Sequence, residues 1–468
     1  MKILFVQPPF SNNESVYELT RYAPMGLPAV AAYLREKNAG LDIEIYDSNI
    51  QKDYSTAKTA QYILDANPDV LGITAMTLNI IPALEILKQV RKEKPEIITV
   101  VGGIHSTVLP EEVLKNTAVD FIVIGEGEIT ADELIKNLKS PENYKNIKGL
   151  GYKENGQLKI NGPRELIKNL DELPIPAYDL LELQKYRSPY TLRTPFASVM
   201  RSRGCPYRCI FCGVQNMFGR IFRVQSPERT MKEIEYLINK YGIREISFKD
   251  SEFTINIPNL MKLCDLLIAK KYDLVWSSNA RVDRTDVELY RKIKKAGCHT
   301  ITFGAESGDQ NILNILKKDI TLEQTRKAIA MAKKAGLRTN CGFILGSPYE
   351  TKETLERTID FACEINPDYV SFGFATPFSG TEMRKMADEH GWMLNVSITH
   401  TTYTDLTMNA TNLSNEELKK IQKKAFTRFY LRPKYILRRL TMLNKNDFRN
   451  SIKGFTVLLR NYFLKTVS

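Results

Sequence analysis

Three of the seven cysteines of this 468-residue chain fall inside eight residues, Cys205-x3-Cys209-x2-Cys212, in the stretch Arg203-Gly-Cys-Pro-Tyr-Arg-Cys-Ile-Phe-Cys-Gly213. A structural zinc site closes four ligands from paired Cys or His knuckles, and no second knuckle accompanies this one. Three thiolates suit instead an iron–sulfur cube in which one iron stays open to a small molecule. The other cysteines, Cys264, Cys298, Cys341 and Cys363, stand singly among apolar residues and read as buried free thiols. The segment Met1-Lys-Ile-Leu-Phe-Val-Gln-Pro-Pro9 does not read as an export signal, because its apolar run stops at a double proline. A reducing cytoplasm is the expected setting.

The chain on either side alternates strand and helix. Residues 1–140 carry strand-like runs at Lys2–Val6, Ile43–Tyr46, Val70–Thr74, Ile98–Val101 and Phe121–Ile124. A helical pattern from Ile80 to Lys94 sets Ile81, Leu84, Leu87 and Val90 on one face. This rhythm predicts a flavodoxin-like (Rossmann-type) parallel sheet, which binds ligands at the carboxyl ends of its strands. Those ends read Gln7-Pro-Pro9, Asp47-Ser-Asn49, Thr74-Ala-Met-Thr77, Gly102-Gly-Ile-His105 and Gly125-Glu-Gly-Glu128. Gly102 and Gly103 would let a ligand approach the backbone, and Thr74, Gly125 and Glu126 join them as candidates. Residues 141–194 read as a linker containing a hairpin around Asn155-Gly156. Over 195–412, six further strands are expected at Ala197–Met200, Glu245–Phe248, Leu274–Ser277, Thr300–Phe303, Thr339–Ile344 and Tyr369–Phe374. Six such units make a partial (β/α)6 TIM-type barrel, with the cysteine loop after its first strand, where barrel chemistry sits.

The pattern Cys-x3-Cys-x-Phe-Cys resembles the signature of the radical S-adenosylmethionine (SAM) enzymes, and the α/β domain in front resembles the cobalamin-binding domain found in many of them. The resemblance covers about residues 1–385. It implies a [4Fe-4S] cluster on Cys205, Cys209 and Cys212, whose open iron holds SAM and whose electron cleaves it to a 5′-deoxyadenosyl radical. Flavodoxin or ferredoxin is the implied electron donor. By the same resemblance Phe211 packs near the adenine. Asp250 and Ser251 stand in the register of a Gly-Gly-Glu that holds the methionyl amine. Glu306, in Gly304-Ala-Glu-Ser-Gly308, matches a segment touching ribose or carboxylate, and Gly342 and Gly346 match a fifth-strand segment beneath the adenine. Phe211, Glu306 and the Gly342/Gly346 pair also have ordinary structural readings, as a core aromatic, a helix-initiating turn and a chance glycine pair.

Thr77 and Gly102-Gly103 stand where the cobalamin-binding domain passes the nucleotide tail of cobalamin. The Asp-x-His-x-x-Gly motif whose histidine ligates cobalt elsewhere is absent, and no histidine precedes His105. A lower axial site held by water or left empty is implied. The layout implies cobalamin-dependent methylation of an unactivated carbon of a hydrophobic (lipid or tetrapyrrole-like) or secondary-metabolite substrate, with radical oxidative cyclisation or rearrangement as the alternative. A non-catalytic corrinoid- or cluster-binding module is the alternative of another class. Radical methylthiotransferases of tRNA carry three further N-terminal cysteines, and residues 1–200 contain none.

Net charge adds a separate feature. Fourteen of the 66 Lys and Arg, but one of the 54 Asp and Glu, lie from Lys419 to Ser468, so the excess of +12 resides in the tail. Ser414-Asn-Glu-Glu417 reads as a helix start. Beyond it Phe426, Phe429, Tyr430, Tyr435, Leu437 and Leu440, and later Phe455, Val457, Leu458, Leu459, Tyr462 and Phe463, interleave with basic residues. Residues 413–468 are therefore read as a basic helical region. Peripheral contact with an anionic membrane suits it, a barrel cap with a solvated basic face is the competing reading, and nucleic acid is the least favoured partner.

Overall fold

A computed structural model of the chain describes residues 1–10, 21–188, 191–284, 286–397 and 402–441. The first five strands form where expected: β1 (Lys2–Gln7), β2 (Asp42–Asp47), β3 (Val70–Thr74), β4 (Ile98–Gly102) and β5 (Phe121–Val123). They pair in parallel in the order β2-β1-β3-β4-β5. Alternation sends Leu4, Val6, Leu71, Ile73 and Val101 to one face, under the helices Thr56–Ala66 and Ile80–Glu93. Ile3, Phe5, Val70 and Ile43 point to the other, under Gly26–Lys37. Burial on both faces explains the near-continuous apolar strands.

The hairpin is β6 (Leu150–Glu154) and β7 (Gln157–Ile160), turned by Asn155 and Gly156, both at positive φ. It does not lie in a free linker. β6 pairs antiparallel with β5, so the first sheet has seven strands and runs to Ile160. Register with a distant strand leaves no mark in a local pattern.

The second sheet is an open barrel of six parallel strands: β8 (Phe196–Val199), β11 (Glu245–Phe248), β12 (Val275–Ala280), β13 (Cys298–Glu306), β14 (Arg338–Leu345) and β15 (Tyr369–Phe374), paired in that order. Between its first two strands, β9 (Ser202–Arg203) and β10 (Arg223–Val224) form a short antiparallel ribbon. The ribbon brackets the cysteine loop.

The helix Asn415–Tyr430 starts as read: Ser414 Oγ accepts from the Glu417 N–H at 3.2 Å, and Glu417 accepts from the Ser414 N–H at 2.8 Å. Its buried residues Leu418, Ile421, Gln422, Ala425 and Phe429 keep helical spacing and turn onto the barrel. There it covers the open edge of β15. Tyr430 donates to the Val370 carbonyl at 2.7 Å and accepts from the Val370 N–H at 3.0 Å, while Gln422 donates to the Phe372 carbonyl at 2.9 Å. An unpaired edge strand is a template for aggregation, and here it is satisfied by side chains. Lys424 and Arg428 pair with Glu356, and Arg428 also with Asp360. The helix through Tyr430 is thus a barrel cap, and its apolar face is not free for a membrane. In the following helix, Pro433–Thr441, Tyr435 is buried and Leu437 is 66% exposed. The expected apolar residues from Phe455 to Phe463 lie outside the described residues, among which no helix is long and apolar enough to cross a membrane.

Phe429→Ala empties a fully buried aromatic position under the cap. Its expected cost is about 3–5 kcal/mol of unfolding free energy, read by denaturant titration; a loss below about 1 kcal/mol would mean the helix does not hold the barrel.

Candidate functional site

The cysteine loop leaves β8 at its carboxyl end. Gly204 must be glycine: at φ +82° a Cβ would lie 2.1 Å from the Ile221 carbonyl oxygen. The loop is tied down by Cys205 N–H to Gly219 O at 3.3 Å and by Ile210 N–H to Leu316 O at 3.1 Å. Cys205, Cys209 and Cys212 are all partly exposed, unlike buried Cys264, Cys298 and Cys341. Burial pushes all three thiols up, Cys209 to about 11, against the opposing pull of Lys318 and Arg281. Metal binding here must therefore displace protons. Among the described residues no three Cys, His, Asp or Glu converge on a single-ion site. Three soft thiols beside two cations fit a larger, negatively charged cluster that takes one thiolate per iron.

Around the thiols the barrel gathers charges that no local motif announced. Glu306, at φ +61° on a bulged end of β13, pairs with Lys318 at 2.7 Å, and both are nearly buried. Gly304 makes this pair possible, since a Cβ there would lie 2.2 Å from the Glu306 carboxylate. Burial acts to lower the Lys318 ammonium, but Glu306 and the Cys209 thiolate outweigh it and the net shift is upward. Lys318 Nζ lies 6.0 Å from the Phe211 ring centroid. Arg281 stacks 3.5 Å over Tyr207 of the cysteine loop and donates to the Lys318 carbonyl at 2.8 Å. Phe211, Glu306 and the three cysteines are thus brought together as expected, and Lys318 and Arg281 join them.

The loop after β11 differs from expectation. Asp250 is turned inward: it accepts from the Ser202 N–H at 2.5 Å and the Ser202 hydroxyl at 2.7 Å, and lies 3.3 Å from buried Arg201. It anchors the loop. Ser251 beside it is half-buried. The acid whose charge reaches Cys205 is Glu252, buried and accepting from the Thr254 N–H at 2.8 Å, with its carboxyl pushed up by burial against Arg281 and Lys318. Counting one residue further along Asp250-Ser-Glu252 would have found it. Gly342 pairs with Gly304 and Ser371, and a Cβ there would meet nothing closer than the Ser371 hydroxyl at 3.7 Å, so its face is open. Gly346, at φ +78°, belongs to a tight turn whose Ser347 N–H donates to Glu350. Backbone geometry accounts for this glycine without a cofactor.

A cavity of about 1170 Å³ lies between the strand ends of the first sheet and the barrel mouth. That exceeds the roughly 300–1,000 Å³ of a drug-sized ligand site. Thr74, Gly102, Gly103, Gly125 and Glu126 line it from one side, and Arg203, Gly213, Val214, Met217 and Phe218 of the cysteine region from the other. Gly102 and Gly125 are open towards it, whereas Gly103 is glycine because at φ +99° a Cβ would lie 2.6 Å from the Ala75 carbonyl oxygen. Thr77 does not line the cavity. Its hydroxyl meets Nδ1 of fully buried His105 at 3.2 Å. Glu126 is not free for a ligand either. It pairs with Arg223 at 2.9 Å and Arg203 at 3.1 Å, and Arg203 also pairs with Glu128. These four side chains are nearly excluded from water and join the two sheets.

Comparison with known proteins agrees with this anatomy. The family model of the radical SAM superfamily matches residues 199–362, and that of the B12 binding domain matches residues 19–135. An uncharacterized methyltransferase of Pyrococcus horikoshii is 36% identical over 464 residues, 99% of each chain. The chain belongs to the radical SAM enzymes that carry a cobalamin-binding domain. It is an enzyme of the methyltransferase type. An anaerobic magnesium-protoporphyrin IX monomethyl ester cyclase of Cereibacter sphaeroides is 32% identical over 396 residues, 82% of this chain and 63% of that protein. The fold is shared with the cobalamin-dependent radical enzyme OxsB (TM-score 0.75, 19% identity, covering 100% of this chain and 73% of that one). It is also shared with the radical SAM methyltransferase TsrM of Kitasatospora setae (TM-score 0.68, 19% identity, covering 84% and 75%).

Arg203→Met strands the buried Glu128 carboxylate and leaves Glu126 with Arg223 alone, at an expected cost of about 3–5 kcal/mol. Burial pushes Glu128 up, but Arg203 and then Arg223 outweigh it and hold the carboxyl below its ordinary 4.5. A depressed carboxylate contributes stability that is complete above its unfolded value and is lost as pH falls through the folded one. The gap between wild type and variant in denaturant titrations should therefore be widest near neutrality and close below about pH 4.5; a gap independent of pH would deny Glu128 this role.

Proposed function

We propose that this enzyme methylates an unactivated carbon of a hydrophobic substrate held between a cobalamin and a cluster-bound SAM. The reading is carried by one observation: the strand ends of the first sheet and the residues just after Cys212 line the same cavity. When bound, the cluster and SAM would supply a hydrogen-abstracting radical and the cobalamin a methyl group, chemistry that belongs to the cofactors. Cys205, Cys209 and Cys212 would hold the cluster. Lys318 and Arg281 would offset its charge, and Glu306 and Glu252 offer acceptors on the SAM side. Thr74, Gly102 and Gly125 would border the cobalamin. Phe5, Phe10, Met25, Leu27, Val30 and Met76 give the chamber an apolar wall that excludes water and favours a hydrophobic substrate.

A second reading, oxidative cyclisation, is favoured by the identity to a protein named as a protoporphyrin ester cyclase. The two differ in co-product. Anaerobically reconstituted protein with dithionite should convert SAM to 5′-deoxyadenosine, and replacing all three loop cysteines by Ala should reduce this to background. Formation of S-adenosylhomocysteine alongside supports methylation; deoxyadenosine with no S-adenosylhomocysteine on the true substrate supports cyclisation. Deoxyadenosine formation that survives the cysteine replacements would overturn both.

A further inference from the structure

A second space of about 200 Å³ lies within the barrel, lined by polar side chains that include Ser247, Asn279, Thr302 and Asn340. The two spaces share two lining residues, Tyr22 and Lys249. Lys249 follows the last residue of β11, on the same face as Ser247, and its ammonium lies 3.3 Å from the centroid of the Tyr22 ring. The phenol of Tyr22 is engaged with Ser188 at 2.9 Å. Glu245 lies deeper in the same space, but its carboxylate accepts from the N–H groups of Leu192 at 2.6 Å and Arg193 at 2.7 Å and faces His299 at 3.3 Å. Among the described residues no carboxylate pairs with the Lys249 ammonium, in contrast to Lys318 with Glu306. Asn340 leaves a second polar atom unmatched, an acceptor that would take a hydroxyl or amine of a ligand rather than its anionic group. It is 7% exposed, donates to Thr302 at 3.4 Å, and its carbonyl oxygen has no partner.

Lys249 is partly buried, and a cation set against a ring face with no carboxylate beside it among the described residues is a ready seat for an anion. We propose that Lys249 anchors an anionic group of the substrate, a carboxylate or a phosphate, at the junction of the two spaces. The inference rests on the large cavity being the substrate chamber, and it narrows the substrate to an amphipathic acid. Its apolar body lies in the chamber, and its charged end reaches Lys249 and the hydroxyls of the barrel interior. Burial by itself pushes the Lys249 ammonium down to about 8, so it is still mostly protonated at neutral pH, and an arriving anion raises it again. A lysine there acts as a point charge and accepts either anion.

The test is residue-resolved lysine labelling. Holoenzyme loaded with cluster and cobalamin is pulsed anaerobically with formaldehyde and a borane reductant, and the peptide bearing Lys249 is quantified by mass spectrometry. The pulse is repeated with inorganic phosphate or with octanoate at matched ionic strength. An anion at ten times its Kd should slow labelling of Lys249 about tenfold and leave exposed lysines unchanged. Protection by octanoate alone identifies a carboxylate, by phosphate alone a phosphate, and by both a general anion seat. Labelling indifferent to both anions overturns the proposal. As a second measurement, the protecting anion should raise the Tm of the wild type and of Lys249→Arg, but not of Lys249→Met; an equal rise in Lys249→Met also overturns it. Deoxyadenosine formation in the same wild-type preparation tests the underlying reading separately. If cleavage stands and protection is absent, the anion seat alone is wrong; if protection stands and cleavage fails, the radical reading is wrong.

Discussion

Glu126, just after β5, and Glu128, in the first turn of the helix Gly127–Asn137, meet Arg203 and Arg223, from the ribbon that brackets the cysteine loop, in a nearly dry space between the two sheets. Everything functional depends on this contact. Arg203 stands two residues before Cys205, so the position of the cysteine loop relative to the first sheet is set by hydrogen-bonded charge pairs. Arg223 also donates to the Ile167 carbonyl at 2.7 Å and the Phe218 carbonyl at 3.0 Å, and Glu126 accepts from the Ile167 N–H at 2.8 Å. The segment between the sheets is thereby fixed as well. Buried ion pairs add little net stability compared with apolar packing, but removing one partner leaves the other charge uncompensated, which ties these four side chains to one arrangement. What this one holds is a chamber whose opposite walls belong to different sheets.

A second set of charges organises the barrel mouth. Glu306 and Lys318 occupy space that exists because residue 304 has no side chain, and Arg281 ties Tyr207 of the cysteine loop to the segment carrying Lys318. The thiols therefore sit beside cations that the fold holds in place. Such preorganisation suits a site that must hold a negatively charged group at low dielectric.

The elements of the fold were legible because their signals are local. The strands of both sheets are apolar runs closed by Gly, Pro or Asp, and the Asn155-Gly156 turn announces its hairpin. The pairing of that hairpin with β5 was not legible, since register depends on a partner nearly thirty residues away. The three cysteines stood out because their chemistry needs close spacing in sequence. Lys318, Arg281 and Arg223 did not, because each reaches the site through the fold and reads locally as an ordinary surface charge. Thr77 and Asp250 show the converse. Each occupies a suggestive register, and each spends its polar atoms on a neighbour, His105 and Ser202. The basic tail was ambiguous for a related reason. Alternating aromatic and cationic residues fit a membrane or a barrel edge equally well, and for the helix Asn415–Tyr430 the unpaired backbone of β15 decides between them.

If the charge cluster at Glu126 and Arg203 sets a cobalamin opposite the iron–sulfur site across one chamber, the two groups lie at one fixed separation. Pulsed electron paramagnetic resonance on protein loaded with both groups, reduced so that cluster and cobalt are paramagnetic, measures this as a dipolar coupling. A single well-defined coupling that broadens in Arg203→Met is the expected result. No coupling, or one unaffected by loss of Arg203, would mean that this contact does not set the chamber.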